Sequence, residues 1–292
     1  MQRTRRIGPS LEPANLLCYT LHMVEPTLSA VLTPTHQDAA SCTVNVAAGW
    51  EQGKGAFGGL VLGSLVRAIE LAEPDPQRTV RAIAGEIPAP VEPGAAQINL
   101  VPLRRGGAVS TVRAELVQRG SSGDEVRAHV VAVTASPRAN MPAWQTSVRP
   151  EAPDWQQVAV VPVGPPFGPN FGRHFEFRII HGMPFSGTGP HALGYIRARA
   201  PGELRSAAYI TALADAWWPC ALSVFKAPRP TATLTFALNI INTLDGLDPG
   251  APLLHSAEAE VSSDGYATET RRLWGHDGRL IAINHQTFVI IK

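Results

Sequence analysis

Cysteine is scarce in this sequence, and it lacks both long apolar runs and an excess of charge of one sign. Only three of the 292 residues are cysteine, and the wide spacing of Cys18, Cys42 and Cys220 indicates neither a disulfide framework nor a metal site. The net charge of +1 argues against a dedicated nucleic-acid-binding protein. No apolar run reaches the roughly 20 residues that cross a bilayer. We therefore expect a protein of the reducing cytoplasm without a membrane span.

Length and composition are those of an ordinary globular protein. Apolar residues make up 45% of the chain, which is enough for a sizeable core. A length of 292 residues exceeds the usual size of one domain, about 100–200 residues, so two domains are expected. The first segment, 1–27, combines arginines with a short apolar stretch but has no signal-peptide cleavage site. We interpret it as a disordered leader that carries no function.

The first half of the chain shows a helical pattern followed by strand patterns. A helix over about 59–72 is predicted by apolar residues at helical spacing, namely Leu62, Leu65, Val66 and Ile69. Glycine and proline then separate four predicted strands, Val80–Ile87, Gln97–Leu103, Val109–Gln118 and Val126–Ala135. One helix followed by strands in a row favours an α+β fold with an antiparallel sheet.

The same order of elements returns in the second half. Two strands are predicted at Phe175–Ile180 and Ala192–Arg199, and a helix at about 203–218 with Ile210, Leu213, Ala214 and Trp217 on its apolar face. Four more strands follow, at Thr231–Ile241, Leu254–Val261, Tyr266–Trp274 and Leu280–Ile290. The apolar positions of the two predicted helices differ by one constant offset of 148 residues, which indicates an internal duplication.

The repeated pattern predicts how the chain is divided. We expect an N-terminal domain over 28–136, a proline- and tryptophan-rich linker over 137–170, and a C-terminal domain over 171–292. We also expect the two sheets to join edge to edge, because joining would cover two strand edges that otherwise invite aggregation.

A glycine motif precedes the first predicted helix. The segment Gly53–Gly58 matches the dinucleotide fingerprint G-x-G-x-x-G, but polar Glu51 and Gln52 separate the strand from the first glycine. The later chain has no alternation of strands and helices, so no dinucleotide, and no other cofactor, is expected. Two interpretations of Gly58 and Gly59 stay open. Free N–H groups at the helix start could bind a carbonyl oxygen or phosphate, or the glycines could simply let the helix pass its sheet.

Several segments resemble, in order and spacing, the type II acyl-CoA thioesterases. The resemblance covers roughly residues 28–291 and rests on Gly55–Gly59, Glu86–Gly94, Arg105–Ser110, Ala214-Asp215, Ala232–Leu234 and Gln286. It implies a tandem (double) hot-dog fold, in which a curved antiparallel sheet wraps one long helix in each half. It also implies hydrolysis of an acyl-CoA substrate, and further pairing of whole chains into a homo-oligomer.

The resemblance also implies an active site. An Asp, a Thr and a Gln position and activate a hydrolytic water in that family, and these roles fall here on Asp215, Thr233 and Gln286, with Gly58 and Gly59 as substrate-binding residues. The chemistry is reasonable, because a carboxylate that is ionised near pH 7 can take a proton from water as it attacks a thioester. A Gln amide and a Thr hydroxyl can orient that water or stabilise the oxyanion.

Alternatives remain at the level of single residues. Thr235 lies two residues beyond Thr233 and could supply the hydroxyl instead. The offset of 148 places Arg67 opposite Asp215, so one active site per chain is expected. The paired arginines at 104–105 and 271–272 could meet the phosphates of coenzyme A, although such pairs are more often solvated.

Two other functions compete with hydrolysis. A non-catalytic acyl-CoA-binding protein is possible because the segment Phe236–Asn239 departs from the family pattern. A hydratase or dehydratase acting on acyl thioesters is disfavoured, since Cys220 stands where that branch of hot-dog proteins has a His. A serine hydrolase is disfavoured too, because no G-x-S-x-G motif occurs.

Overall fold

A computed structural model describes residues 25–36, 38–121 and 123–291. The leader predicted over 1–27 therefore lies almost wholly outside the described residues. Where the described chain begins, the Thr27 side chain accepts a hydrogen bond from the Ala30 N–H and so caps a short helix, α1 (Leu28–Leu32), which the sequence did not reveal.

One large antiparallel sheet dominates the fold. The first half contributes β1 (Thr35–His36), β2 (Ser41–Val46), β5 (Thr79–Glu86), β6 (Gly94–Arg105), β7 (Val109–Gly120) and β8 (Gly123–Ala135), while β3 (Glu51–Gln52) and β4 (Gly55–Ala56) form a separate small hairpin. The second half contributes β9 (Phe175–His181), β10 (His191–Ala198), β11 (Thr231–Ile240), β12 (Leu253–Ser263), β13 (Tyr266–Trp274) and β14 (Leu280–Ile290). The predicted strands are confirmed, and the bounds of β13 and β14 match the prediction at both ends.

The two halves share the sheet through one pair of strands. The spatial order is β1-β2-β6-β7-β8-β5-β11-β14-β13-β12-β10-β9, so first-half strands lie on one side and second-half strands on the other. At the junction β5 pairs antiparallel with β11, with Gly85 opposite Phe236 and Ala82 opposite Asn239. The predicted edge-to-edge joining is thus confirmed, and it pairs one strand edge of each half.

Two helices, α2 (Gly58–Ala72) and α3 (Ala207–Asp215), pack closely against each other. A Cβ atom at Gly59 would lie 2.9 Å from the Ala212 carbonyl oxygen, and one at Gly63 would lie 3.1 Å from that of Ala208. The two contacts run in opposite directions along the chain, so the helices are antiparallel, and glycine permits their backbones to approach. As a result the N-terminus of α2 lies beside the C-terminus of α3.

The second helix is shorter than the sequence predicted. We expected a long helix in each half; α2 has 15 residues, but α3 has only 9 and occupies the middle of the predicted range 203–218. The start of α3 is set by Glu70 of α2, whose carboxylate accepts hydrogen bonds from the Ser206 hydroxyl and the Ala208 N–H. Pro219, four residues beyond its end, prevents the helix from continuing, and a 3₁₀ turn at Cys220–Val224 follows.

The segment 137–170 contains a 3₁₀ turn at Trp155–Gln157, ends where a second 3₁₀ turn (Asn170–His174) begins, and packs onto the second half. Trp155 and Val158 pack against a small apolar cluster that includes Tyr195. The Tyr195 hydroxyl donates to the Pro153 carbonyl over 2.6 Å. Among the described residues, no helix is long and apolar enough to span a bilayer.

Candidate active site

A cavity of about 330 Å³ opens beside the strand pair that joins the two halves. It lies where the N-terminus of α2 meets the C-terminus of α3, and β5 and β11 line its side. Its lining combines polar groups with apolar surface, and includes Gly58, Asp215, Thr233, Arg271, Trp217 and Phe288. Two of the three predicted catalytic residues, Asp215 and Thr233, are therefore among the residues that line one cavity.

Asp215 and Gln286 are in direct contact. Asp215 is the last residue of α3, and Gln286 lies in β14. The Gln286 side-chain amide donates to Asp215 Oδ1 over 3.1 Å, and its second N–H donates to Asn284 Oδ1 over 2.7 Å. Gln286 and Asn284 are almost fully buried, so the amide is fixed in one orientation and cannot swing away from the carboxylate.

The surroundings of Asp215 shift its pKa in opposing directions. Burial raises the pKa of this carboxyl above its ordinary value, and that effect prevails. The Arg271 guanidinium lowers the pKa most strongly, and hydrogen bonds from Gln286 and from the Gly59 N–H lower it further. The result is a carboxylate that is a stronger base than an exposed Asp and is still held by donors.

The hydroxyl of Thr233 lies next to Gln286. Thr233 Oγ1 is 3.4 Å from Gln286 Oε1, at the long end for a hydrogen bond, and the residue lines the cavity. The register of β11 against β14 shifts between Thr233 and Thr235, so the two hydroxyls do not occupy equivalent positions. Thr235 does not line the cavity. The geometry therefore favours Thr233 over Thr235.

The two glycines at the start of α2 have different surroundings. A Cβ atom at Gly58 would lie 2.7 Å from Asp215 Oδ2, and Gly58 lines the cavity. A Cβ atom at Gly59 would lie 2.4 Å from the Phe57 ring, inside the packing of α2 on α3. No side chain caps α2 at Phe57, and the Leu60 N–H donates to the Phe57 carbonyl over 3.0 Å, which leaves the Gly58 N–H available. Gly58 thus faces a potential ligand, whereas Gly59 packs the helices and its N–H helps to lower the pKa of Asp215.

The glycine motif before α2 forms a hairpin. Gly53 has a φ of +68° and turns the chain between β3 and β4. A tight hairpin at this position differs from the strand–turn–helix geometry that binds a dinucleotide. Within the described ranges, no three His, Cys, Asp or Glu side chains lie close enough together to hold a metal ion.

Arg271 corrects the sequence-based expectation. We expected the pair at 271–272 to be solvated, but the Arg271 side chain is only 1% exposed and lines the cavity. Its Nε donates to Glu269, and its Nη1 donates to the Ala214 carbonyl over 3.1 Å. One signal could have revealed it, because Ala267, Glu269, Arg271 and Leu273 alternate along β13 on one buried face.

The opposite end of the helix pair holds a second cavity, of about 220 Å³. Arg67, which the sequence offset placed opposite Asp215, lines this cavity and pairs with Glu70 over 3.2 Å. Strand β8 offers Thr134 there, whose hydroxyl donates to Glu73, and β8 contains no Gln. The two ends of the helix pair therefore differ chemically.

Family models match both halves of the chain. The model described as acyl-CoA thioesterase N-terminal domain matches residues 46–136, and the one described as acyl-CoA thioesterase C-terminal domain matches residues 141–290. No curated protein matches the sequence.

Solved structures share the fold across nearly the whole chain. A hot-dog protein of unknown function from Alicyclobacillus acidocaldarius is 23% identical with a TM-score of 0.78, over 91% of this chain and 98% of its own. The acyl-CoA thioesterase II TesB2 from Mycobacterium marinum is 17% identical with a TM-score of 0.71, over 90% of this chain and 98% of its own. At such identities the similarity shows a hot-dog fold.

Proposed function

Because this chain belongs to the acyl-CoA thioesterase family and is a thioester hydrolase, we propose that Asp215, Thr233 and Gln286 activate the water that cleaves its acyl-CoA substrate. The observation that carries the proposal is the contact between Asp215 and Gln286 beside the cavity. A carboxylate that lines the cavity and has a raised pKa, a fixed amide and a neighbouring hydroxyl provide the groups that general-base hydrolysis needs.

The proposed reaction is a direct hydrolysis. Asp215 accepts a proton from water while the water oxygen forms a bond to the thioester carbonyl carbon. Thr233 orients the water, Gln286 holds the carboxylate of Asp215 in place, and the N–H of Gly58 at the start of α2 stabilises the negative charge that develops on the carbonyl oxygen. The C–S bond then breaks, and the proton on Asp215 passes to the departing sulfur. The products are a carboxylic acid and the coenzyme A thiol.

Both halves contribute to this site. Gly58 comes from the first half, whereas the three proposed catalytic residues come from the second. We assign one hot-dog unit to 28–136 and one to 171–292, with 137–170 crossing between them. Among the described residues, a carboxylate, a Gln amide and a Thr hydroxyl come together only at the end of the helix pair that holds Asp215. We therefore assign one active site to each chain.

The assay that tests this function is release of free thiol from a panel of acyl-CoA substrates of increasing chain length. Hydrolysis predicts stoichiometric appearance of coenzyme A and free acid, detected by a thiol reagent and by mass spectrometry. Binding of acyl-CoA without thiol release would contradict the proposal. Addition or removal of water within the acyl chain, with the thioester intact, would contradict it as well.

A further inference from the structure

The ion pair between Arg271 and Glu269 lies in the interior of the second half, beside the proposed active site. Both side chains are essentially unexposed, at 1% for Arg271 and 0% for Glu269. Glu269 is held at its other oxygen by the Cys220 N–H over 2.8 Å. The Arg271 guanidinium also lies over the Phe288 ring, 5.4 Å from its centroid. The cation is therefore fixed from several sides.

Stability alone does not account for this arrangement. Removing two charges from water is costly, and replacing a buried ion pair with apolar side chains of similar volume is often neutral or stabilising. Neighbours of the pair on the same face of β13, Ala267 and Leu273, show that the interior accepts apolar residues here. The buried pair of Arg271 and Glu269 is therefore better explained by a function than by stability.

Arg271 reaches the proposed base through the helix that carries it. Its Nη1 donates to the carbonyl of Ala214, the residue directly before Asp215. The C-terminal carbonyls of a helix carry partial negative charge, which would disfavour a carboxylate at the same end. A cation bound to one of these carbonyls offsets that charge and fixes the backbone from which Asp215 projects.

We propose that Arg271 is a positioning residue, which keeps Asp215 ionised and correctly placed for the hydrolytic step. The proposal rests on the proposed function of Asp215, but it concerns a residue that acts through Asp215 and need not touch the substrate. Glu269 has the opposite electrostatic effect on Asp215 and serves to hold Arg271 in place.

Few other charges face this carboxylate. Lys54 and Glu86 also line the cavity, but both are exposed. His255 lies buried against Trp217, and burial together with Arg271 holds its pKa well below the ordinary range, so it stays neutral. Arg271 and Glu269 are therefore the charges that control the ionisation of Asp215.

The test measures the pH dependence of kcat/KM for thiol release in single variants that remove either the positive charge of Arg271 or the negative charge of Glu269. Arg271→Met is expected to move the acid limb of the profile upward by about one unit or more, because a neighbouring opposite charge shifts a carboxyl pKa by about 1–3 units. Arg271→Lys keeps the positive charge, so its acid limb is expected to lie close to that of the wild type. Glu269→Gln keeps an acceptor for the Cys220 N–H and is expected to move the limb downward.

A matched control and a second readout complete the test. Arg272→Met, on the opposite face of the same strand, should leave the acid limb where it is in the wild type. The second readout is the infrared band of the protonated Asp215 carboxyl, identified as the band that Asp215→Asn removes. The pH midpoints of this band should rank the variants in the same order as the pH midpoints of the acid limb. If Arg271→Met does not fold, Glu269→Gln and Arg271→Lys still show in which direction the acid limb moves.

Unchanged titration of Asp215 in folded Arg271 and Glu269 variants would overturn the proposal, because the pair would then be purely structural. Failure of the proposed function looks different. In that case wild-type protein would release no thiol, or Asp215→Asn would release it normally, while the infrared titration would still report whether Arg271 controls the carboxyl group.

Discussion

The side-chain amide of Gln286 donates to the carboxylate of Asp215 over 3.1 Å and so joins two residues that are 71 positions apart in the chain. The contact ties the end of α3 to the last strand of the sheet. Because Gln286 is buried and also bonded to Asn284, it orients the carboxylate toward the cavity. Asp215 thereby gains a fixed geometry from a neutral donor.

The raised pKa of Asp215 predicts a stability effect. A carboxyl whose folded-state pKa lies above its unfolded value binds protons more tightly when folded, so its ionisation costs stability as pH rises through the folded pKa. Asp215→Asn is therefore expected to melt at a higher temperature than the wild type near neutral pH. The difference should shrink as the pH is lowered through the pKa of Asp215. Thermal melts across this pH range check it, and an Asn variant that melts lower at neutral pH would contradict it.

Thr233 and Thr235 offer a matched pair of substitutions. Thr233→Val keeps the side-chain shape but removes the hydroxyl beside Gln286, so kcat should fall roughly 10-fold, the effect of about one hydrogen bond. Thr235→Val removes an exposed hydroxyl outside the cavity and should leave kcat within about 2-fold of the wild type. Steady-state thiol release measures both, and the reverse order would assign the hydroxyl role to Thr235.

Gly58 and Gly59 should respond differently to alanine. The Cβ of Gly58→Ala would press on Asp215 Oδ2, so kcat should fall while the melting temperature changes little. The Cβ of Gly59→Ala would meet the Phe57 ring and the Ala212 carbonyl, so the melting temperature should fall clearly, since overpacking costs about 1–3 kcal/mol. Melts and kcat values for both variants separate the two roles. Equal loss of stability in both would mean that Gly58 is purely structural.

Much of the fold was predictable from local pattern. Alternating apolar residues predicted the strands. The turn residues Asp264-Gly265 and Asp277-Gly278 marked where β13 and β14 begin. The length of α3 was not predictable in this way, because Trp217 continues the apolar helical spacing although it lies beyond the helix and lines the cavity. Its burial comes from tertiary packing, which helical periodicity does not describe.

The site was predictable only through the family resemblance. That resemblance named Asp215, Thr233 and Gln286, and the structure places their side chains in one connected group. The burial of Arg271 was not predicted, because two adjacent arginines at a strand end are usually solvated. Its burial depends on the neighbouring Glu269 and on the Ala214 carbonyl at the end of α3, and the second contact is long-range, so no local sequence pattern shows it.

His255 predicts a second dependence of stability on pH. The ring is fully buried and stacked on Trp217, and no described side chain or backbone group hydrogen-bonds either ring nitrogen. Its pKa lies well below the ordinary value of 6.5, so the unfolded chain binds the extra proton and folded stability falls as pH drops below about 6.5. His255→Phe keeps the stacked ring, and denaturant unfolding should show a smaller loss between pH 7 and pH 5. A loss as large as in the wild type would contradict this account of His255.

The most direct test of the central claim is steady-state coenzyme A release by Asp215→Asn. Asparagine preserves the size of the side chain but cannot accept the proton, and positioned acid–base catalysis contributes about 10²–10⁴-fold, so kcat should fall by an amount in that range with little change in apparent affinity. Arg67→Gln, at the other end of the helix pair, is the matched control and should keep kcat within a few-fold of the wild type. A folded Asp215→Asn protein with near-normal kcat would contradict the assignment of Asp215 as the base.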